Sequence, residues 1–186
     1  MKKKKDRLFP PDWEMKMKWN VKLFRKINNI DIEKINTFYK YFFRLGKTYS
    51  LPLFYPIFYI TGGKKAVIHL TLSMIITGIL MPLIKYTFKH YRPSKLMENV
   101  KLLEQVTLKS FPSADSAFAF TLLGSIIFYG NPLLILIFTI YAVAIGIGRV
   151  YMGAHFPFDV LVGGLIGFLS GVSGYFIVSH YFTFMR

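Results

Sequence analysis

Apolar residues along this chain gather in five stretches, at roughly residues 47–62, 66–90, 114–130, 132–150 and 158–183. Each approaches the length of about 20 residues that a helix needs to cross a bilayer. The first is short and carries Pro52 and Pro56, which membrane helices tolerate where neighbours satisfy the freed carbonyls. Gly62-Gly63-Lys64-Lys65 and Gly130-Asn131-Pro132 predict tight turns between successive spans. Gly146, Gly148, Gly163, Gly164, Gly167, Gly171 and Gly174 are small enough to let helices approach closely. The pattern predicts an all-α fold, a polytopic membrane bundle of five or six transmembrane helices, over residues 47–186.

Residues 1–46 read as a basic, amphipathic membrane-surface region. Between 12 and 27, Met15, Met17, Trp19, Val21 and Leu23 alternate with polar residues, while Trp13, Met17, Phe24 and Ile27 fit a helical stripe. Strand and helix are both open there. Over 31–45, Ile32, Ile35, Phe38, Tyr39, Phe42 and Leu45 share one helical face, with Lys34, Lys40 and Arg44 elsewhere. That pattern predicts an amphipathic helix, either in the headgroup layer or packed on the bundle. Met1 to Lys5 looks like the basic start of a signal peptide, but Asp6, Arg7 and a polar stretch follow, so no cleaved signal is expected. The lysine run reads either as a solvated tail or as a contact for anionic lipid.

Composition supports the membrane reading, because 53% hydrophobic and 18% aromatic residues in 186 exceed what an ordinary soluble domain carries. The absence of cysteine excludes disulfides and thiolate metal sites. A net charge of +15 attracts anionic lipids, phosphorylated substrates or nucleic acid. Membrane character sets nucleic acid aside, and nothing in the chain implies an obligate protein partner.

Against this apolar background stand three polar clusters: Lys85-x6-Arg92-Pro93, then Phe111-Pro112-Ser113-Ala114-Asp115, then Arg149-x5-His155-x3-Asp159. Ionisable groups near a membrane interior cost about 3 kcal/mol each and mark function. If successive spans alternate in direction, the three clusters emerge on one side. Lys85 and Arg92 are seven residues apart, two helical turns, with Lys89 between them, so both are expected along one side of the helix as a cationic wall. Such cations, with Arg149 as a third, suit the charge of a phosphoryl group in transfer. Snorkelling beside headgroups is the alternative. Ser113 stands where it can cap the third span, leaving backbone N–H groups as an anion site, although serine and aspartate are also ordinary helix-start residues. Pro157 predicts a helix start that leaves His155 just outside and Asp159 in the first turn. Asp159 can then accept a hydrogen bond from one imidazole nitrogen and leave the other free to attack. His69, His90 and His180 lack a partner at such spacing and read as structural. One histidine and two carboxylates among three cations make a poor cage for a divalent ion, so neither metal nor cofactor is expected.

These blocks resemble the type 2 phosphatidic acid phosphatase family, whose pattern is KxxxxxxRP, PSGH and SRxxxxxHxxxD. Lys85 to Pro93 matches the first block completely, and Arg149, His155 and Asp159 match the third, with Gly148 in place of its serine. The likeness runs from about residue 46 to the C-terminus. It implies metal-independent hydrolysis in two steps, with His155 taking the phosphoryl group, Asp159 orienting it, and Lys85, Arg92, Ser113 and Arg149 holding phosphate oxygens. It also implies a lipid phosphate or diphosphate substrate, such as lipid A 1-phosphate, undecaprenyl diphosphate or phosphatidylglycerophosphate. A lipid-to-lipid phosphotransferase and a non-catalytic lipid- or anion-binding membrane protein are the rival readings.

The chain departs from the family at PSGH, where Ala114 replaces the glycine and Asp115 the histidine that protonates the leaving oxygen. An aspartate beside three cations holds its charge and is a poor proton donor. The substitution therefore favours leaving groups that need little help, as in a lipid diphosphate or a sugar 1-phosphate. With five spans the N-terminus and the active face share a side dense in lysine and arginine, which the positive-inside rule assigns to the cytoplasm. The resemblance instead implies a bacterial inner membrane with the site facing the periplasm. Leu96, Val100, Leu103 and Thr107 share a helical face, which predicts either an interfacial helix between the first two clusters or a loop resting on headgroups.

Overall fold

The computed structural model describes residues 10, 12–104 and 109–184; the lysine run at 1–5 and Thr107 lie outside them. Among the described residues the structure is helical, with α1 (Lys18–Asn28), α2 (Glu33–Phe42), α3 (Tyr55–Phe88), α4 (Pro93–Leu96), α5 (Ala114–Ile126), α6 (Pro132–Tyr151) and α7 (Pro157–Phe184). Short 3-10 turns occupy Trp13–Lys16, Phe43–Gly46 and Thr48–Leu53.

α3 is a hairpin of two arms. Tyr55 Oη lies 3.1 Å from Thr71 Oγ1, whereas sixteen residues of unbroken helix would hold them about 24 Å apart. The chain reverses at Gly62 and Gly63, the latter at φ 61° and ψ −154°, a backbone region open essentially to glycine alone. The predicted turn is therefore present, and so is the second, where Asn131 caps α6 by accepting from Leu134 N–H at 2.8 Å, with Pro132 behind it.

α3, α6 and α7 include segments long and apolar enough to cross a membrane. Their outward faces carry Ile75, Leu83, Ile140, Leu165 and Phe176 in the open, as a lipid-facing girdle does. α5 is shorter, at 13 residues, or about 20 Å against a hydrocarbon core of about 30 Å. It is the enclosed centre of the bundle, with Ala117, Ala119, Leu122 and Ile126 fully buried. Glycine brings α7 against it: a Cβ at Gly163, Gly167 or Gly171 would lie 2.3 Å from Ser113 O, 2.0 Å from Ala117 O and 2.6 Å from Gly124 C respectively. The four-residue spacing puts these glycines on one face, and the close approach sets the start of α5 beside the start of α7.

One sequence expectation fails here, and another is decided between its two alternatives. The helix does not run from Lys85 to Arg92: α3 ends at Phe88, Lys89 takes a left-handed φ of 54°, and Arg92 is extended before Pro93. Proline disfavours helical geometry in the residue before it, so the helix stops short and Arg92 enters the site from a loop. Of the two readings for Leu96, Val100 and Leu103, an interfacial helix or a loop, the structure has the loop. α4 ends at Leu96 and residues 97–104 are irregular, with Asn28 accepting from Lys101 N–H and donating to Lys101 O. The amphipathic segments 12–28 and 31–45 are both largely helical and lie on the bundle. Fully buried Phe24 meets Phe156, and Tyr39 meets Tyr151.

Candidate active site

The structure brings all seven sequence-predicted residues to one end of the bundle. Asp159 stands in the first turn of α7 and reaches back to accept from Phe156 N–H at 3.1 Å, much as the N3 side chain does in a capping box. The same oxygen, Oδ2, lies 3.3 Å from Nδ1 of His155 and accepts the hydroxyl of Ser110. His155 is buried just ahead of α7, and its other nitrogen, Nε2, lies 3.2 Å from the guanidinium of Arg92. Arg92 is held by a 2.6 Å bond to Ala154 O. The two ring nitrogens thus face different partners, a carboxylate on one side and a cation on the other. Burial, and then the charges of Arg92, Arg149 and Lys85, hold the His155 imidazolium well below its ordinary pKa, so the ring is neutral and its lone pair available.

Lys85, half-buried at the end of α3, is within electrostatic reach of Arg92, Asp115, Arg149 and Asp159. Ser113 caps α5: its hydroxyl accepts from the hydroxyl of Ser116 at 2.9 Å, and its N–H donates to Asp159 O at 3.0 Å. Asp115 in the first turn of α5 is ion-paired, with Oδ2 3.2 Å from Arg149 Nε and 3.8 Å from Lys47 Nζ. Glu104 closes a quartet, 2.5 Å from Arg149 and 2.6 Å from Lys47. Burial alone would raise the Glu104 carboxyl, but Arg149 and Lys47 outweigh it and hold the group below the usual carboxylate range. Both cations also lie over the ring of Phe43, Lys47 at 4.2 Å and Arg149 at 4.0 Å, a favourable arrangement for each. His90, read from sequence as structural, is fully buried 2.9 Å from Glu14.

Residues 66–183 match the sequence profile of the PAP2 superfamily. The chain belongs to that superfamily. Bacitracin transport permease protein BcrC of Bacillus licheniformis is 31% identical to this PAP2 chain over 159 residues, covering 82% of the chain and 77% of that protein. An undecaprenyl-diphosphatase of Sulfolobus acidocaldarius is 28% identical over 156 residues, covering 83% and 76%. Among solved structures, LpxE of Aquifex aeolicus superposes at a TM-score of 0.77 and 38% identity, over 84% of this chain and 94% of that one. A transmembrane PAP2-type phosphatidylglycerolphosphate phosphatase from Bacillus subtilis shares the fold at a TM-score of 0.71 and 21% identity, over 92% and 88%. With its apolar helices, this PAP2 chain is an integral membrane protein.

Lys47, Phe43, Glu104, Ser110 and Glu14 have no place in the sequence motifs, and each reaches the site through tertiary contact. Ser110, three residues ahead of the Ser113 cap, is the one a motif could have pointed to. Gly148, where the family pattern has serine, is explained by packing: a Cβ there would lie 2.5 Å from the ring of Tyr39.

Proposed function

We propose that this chain hydrolyses a membrane lipid phosphate or diphosphate through a phosphohistidine at His155, without a metal ion. The observation that carries the reading is the division of labour at that ring, with Nδ1 toward Asp159 and Nε2 toward Arg92. Nε2 attacks phosphorus, the bond to the bridging oxygen breaks, and the leaving oxygen departs with the bonding pair. The Nδ1 proton stays on the ring against Asp159, which steadies the cationic phosphoimidazole. Water then attacks phosphorus, the P–N bond breaks, its electron pair returns to Nε2, and the surplus proton passes to solvent.

Lys85, Arg92 and Arg149 supply the charge that stabilises the phosphoryl oxygens, with Ser113 behind them at the cap. Among the described residues no three His, Asp or Glu side chains are grouped to hold a metal ion. A cavity of about 220 Å³ between α3 and α5 supports a lipid substrate. Met74, Gly78, Met81 and Pro82 line one side of it, Ala114 and Phe118 the other, and Thr48 borders it. Thr48 and Ala114 in its lining are the sequence neighbours of Lys47 and Asp115, and we assign the cavity to the lipid tail.

We assign diphosphates as the preferred class, because Asp115 is committed to Arg149 and Lys47 and a departing phosphate needs little proton donation. We also assign the active face to the periplasmic side of a bacterial inner membrane. Lys47, Lys85, Arg92 and Arg149 belong to the site and are not topology signals.

The test is phosphate release by purified protein from undecaprenyl diphosphate, lipid A and phosphatidate, with chelator present and with His155→Ala alongside. Release that resists chelator and needs His155 is the expected result. Activity that vanishes with chelator, phosphate passed only to an added lipid acceptor, or binding without turnover overturns the proposal.

A further inference from the structure

The N-terminal segment carries a second carboxyl group to the base of the site. Glu14, in the 3-10 turn ahead of α1, is fully buried, with Oε1 2.9 Å from Nδ1 of His90. Its carboxyl lies close enough to that of Asp159 for the two groups to influence each other's ionisation. Oε2 of Glu14 and Oδ1 of Asp159 are both buried without a hydrogen-bond partner among the described residues, which leaves each open to bond the other once one of them carries a proton. The segment is anchored there: Asn20, also fully buried, accepts from Phe158 N–H at 2.9 Å in the first turn of α7, and Trp13 packs edge-on against Phe158.

Two carboxylates in one buried site cannot both be ionised, so the pair shares a proton. Oδ2 of Asp159 already faces the Ser110 hydroxyl, Phe156 N–H and the His155 ring, contacts that favour negative charge on Asp159. Glu14 faces fewer donors, its own backbone N–H and, at 2.9 Å, Nδ1 of His90, and we place the proton on it.

We propose that Glu14 is a positioning residue for hydrolysis, its protonated carboxyl donating to Oδ1 of Asp159 and fixing that carboxylate against Nδ1 of His155. This rests on the His155–Asp159 reading of the proposed function. With Oδ1 occupied, Asp159 is a weaker base and leaves the Nδ1 proton on the ring. The phosphohistidine then forms as a cation, which gives up its phosphoryl group to water faster than a neutral ring would.

The groups facing Glu14 are Asp12 on its own segment, His90 after α3 and Asp159 on α7. Burial pushes the Glu14 carboxyl up to about 7, with Asp12 adding to the rise. Below that pH Glu14 carries its proton and the donor is present; above it the proton is lost and two negative charges oppose each other.

The experiment measures kcat and KM on a lipid diphosphate, from about pH 5.5 to about pH 9, for the wild type, Glu14→Gln, Glu14→Ala and His155→Ala. Wild-type kcat is expected to fall as pH rises through about 7. Glutamine keeps an N–H donor but nothing to ionise, so Glu14→Gln retains most of the activity and loses that alkaline fall. Glu14→Ala loses about 10- to 100-fold in kcat with little change in KM. An alkaline fall that persists unchanged in Glu14→Gln overturns the inference, as does wild-type kcat in Glu14→Ala. If the alanine variant fails to fold, the glutamine profile decides alone. Hydrolysis that survives His155→Ala overturns this inference together with the reading beneath it, whereas dependence on His155 with an unchanged glutamine profile overturns the inference alone.

Discussion

Oδ2 of Asp115 lies 3.2 Å from Nε of Arg149, so a residue at which this site departs from its family's pattern is paired with one at which it conforms. In the proposed mechanism this pairing converts a position expected to donate a proton into one that buffers a cation assigned to phosphate. The proposed preference for diphosphates follows from this: with less general-acid help, a leaving group that departs as a stable anion is favoured.

Replacing Asp115 by histidine should restore a proton donor where a bond to an alkoxide breaks. Wild-type protein is expected to release phosphate from undecaprenyl diphosphate faster than from phosphatidate, and Asp115→His to narrow that ratio by about 10- to 100-fold. An equal ratio in the two proteins would contradict the assignment.

Glu104 occupies Arg149 and Lys47 at 2.5 and 2.6 Å, and in the proposed mechanism an incoming phosphate is expected to compete with it for both. Glu104→Gln removes the negative charge and keeps the shape. Inhibition by inorganic phosphate should tighten by about 3- to 10-fold, read as a lower inhibition constant at constant ionic strength. Unchanged or weaker inhibition would show that Glu104 does not compete.

The α5–α7 contact predicts a stability effect at a distance from the chemistry. Gly167→Ala places a Cβ 2.0 Å from Ala117 O, a backbone atom that cannot yield, and should destabilise by about 1–3 kcal/mol. Gly78, in α3, has nothing within 4 Å of its Cβ position. Gly78→Ala should therefore be neutral or stabilising by up to about 1 kcal/mol. Thermal unfolding in one detergent compares them, and equal midpoints for the two variants would argue against the packing account.

Much of the site was legible in the residues because proline punctuates it. Pro157 fixes where α7 starts and hence that His155 and Asp159 meet, and Pro93 keeps Arg92 out of the helix. The latter was misread as two turns of helix, since spacing alone does not say whether a chain between two cations is helical. The Gly62-Gly63 reversal was legible for a similar local reason. The shortness of α5 was not, because the apolar run 114–130 continues into the turn beyond Ile126. Nor was the state of residues 12–27, whose apolar positions satisfy periods of both two and 3.6. Glu14, Lys47, Glu104 and Ser110 bear no fixed spacing to the motifs, and only packing brings them in.

The cysteine-free sequence makes sidedness directly measurable. Lys89 is exposed at the end of α3, between Lys85 and Arg92. Lys89→Cys in intact Gram-negative cells, with the outer membrane made permeable, should react with an impermeant maleimide if the active face is periplasmic. Labelling only after the inner membrane is opened would place that face in the cytoplasm.

The central claim is that His155 carries the phosphoryl group, and trapping that species tests it most directly. Protein turning over a diphosphate labelled in its terminal phosphate would be quenched in alkali, where phosphohistidine survives, and mapped by mass spectrometry. The account predicts label on residue 155 that forms and decays at rates consistent with turnover and is absent from His155→Ala. Phosphate released at full rate with no label at residue 155, or with label on another side chain, would contradict it.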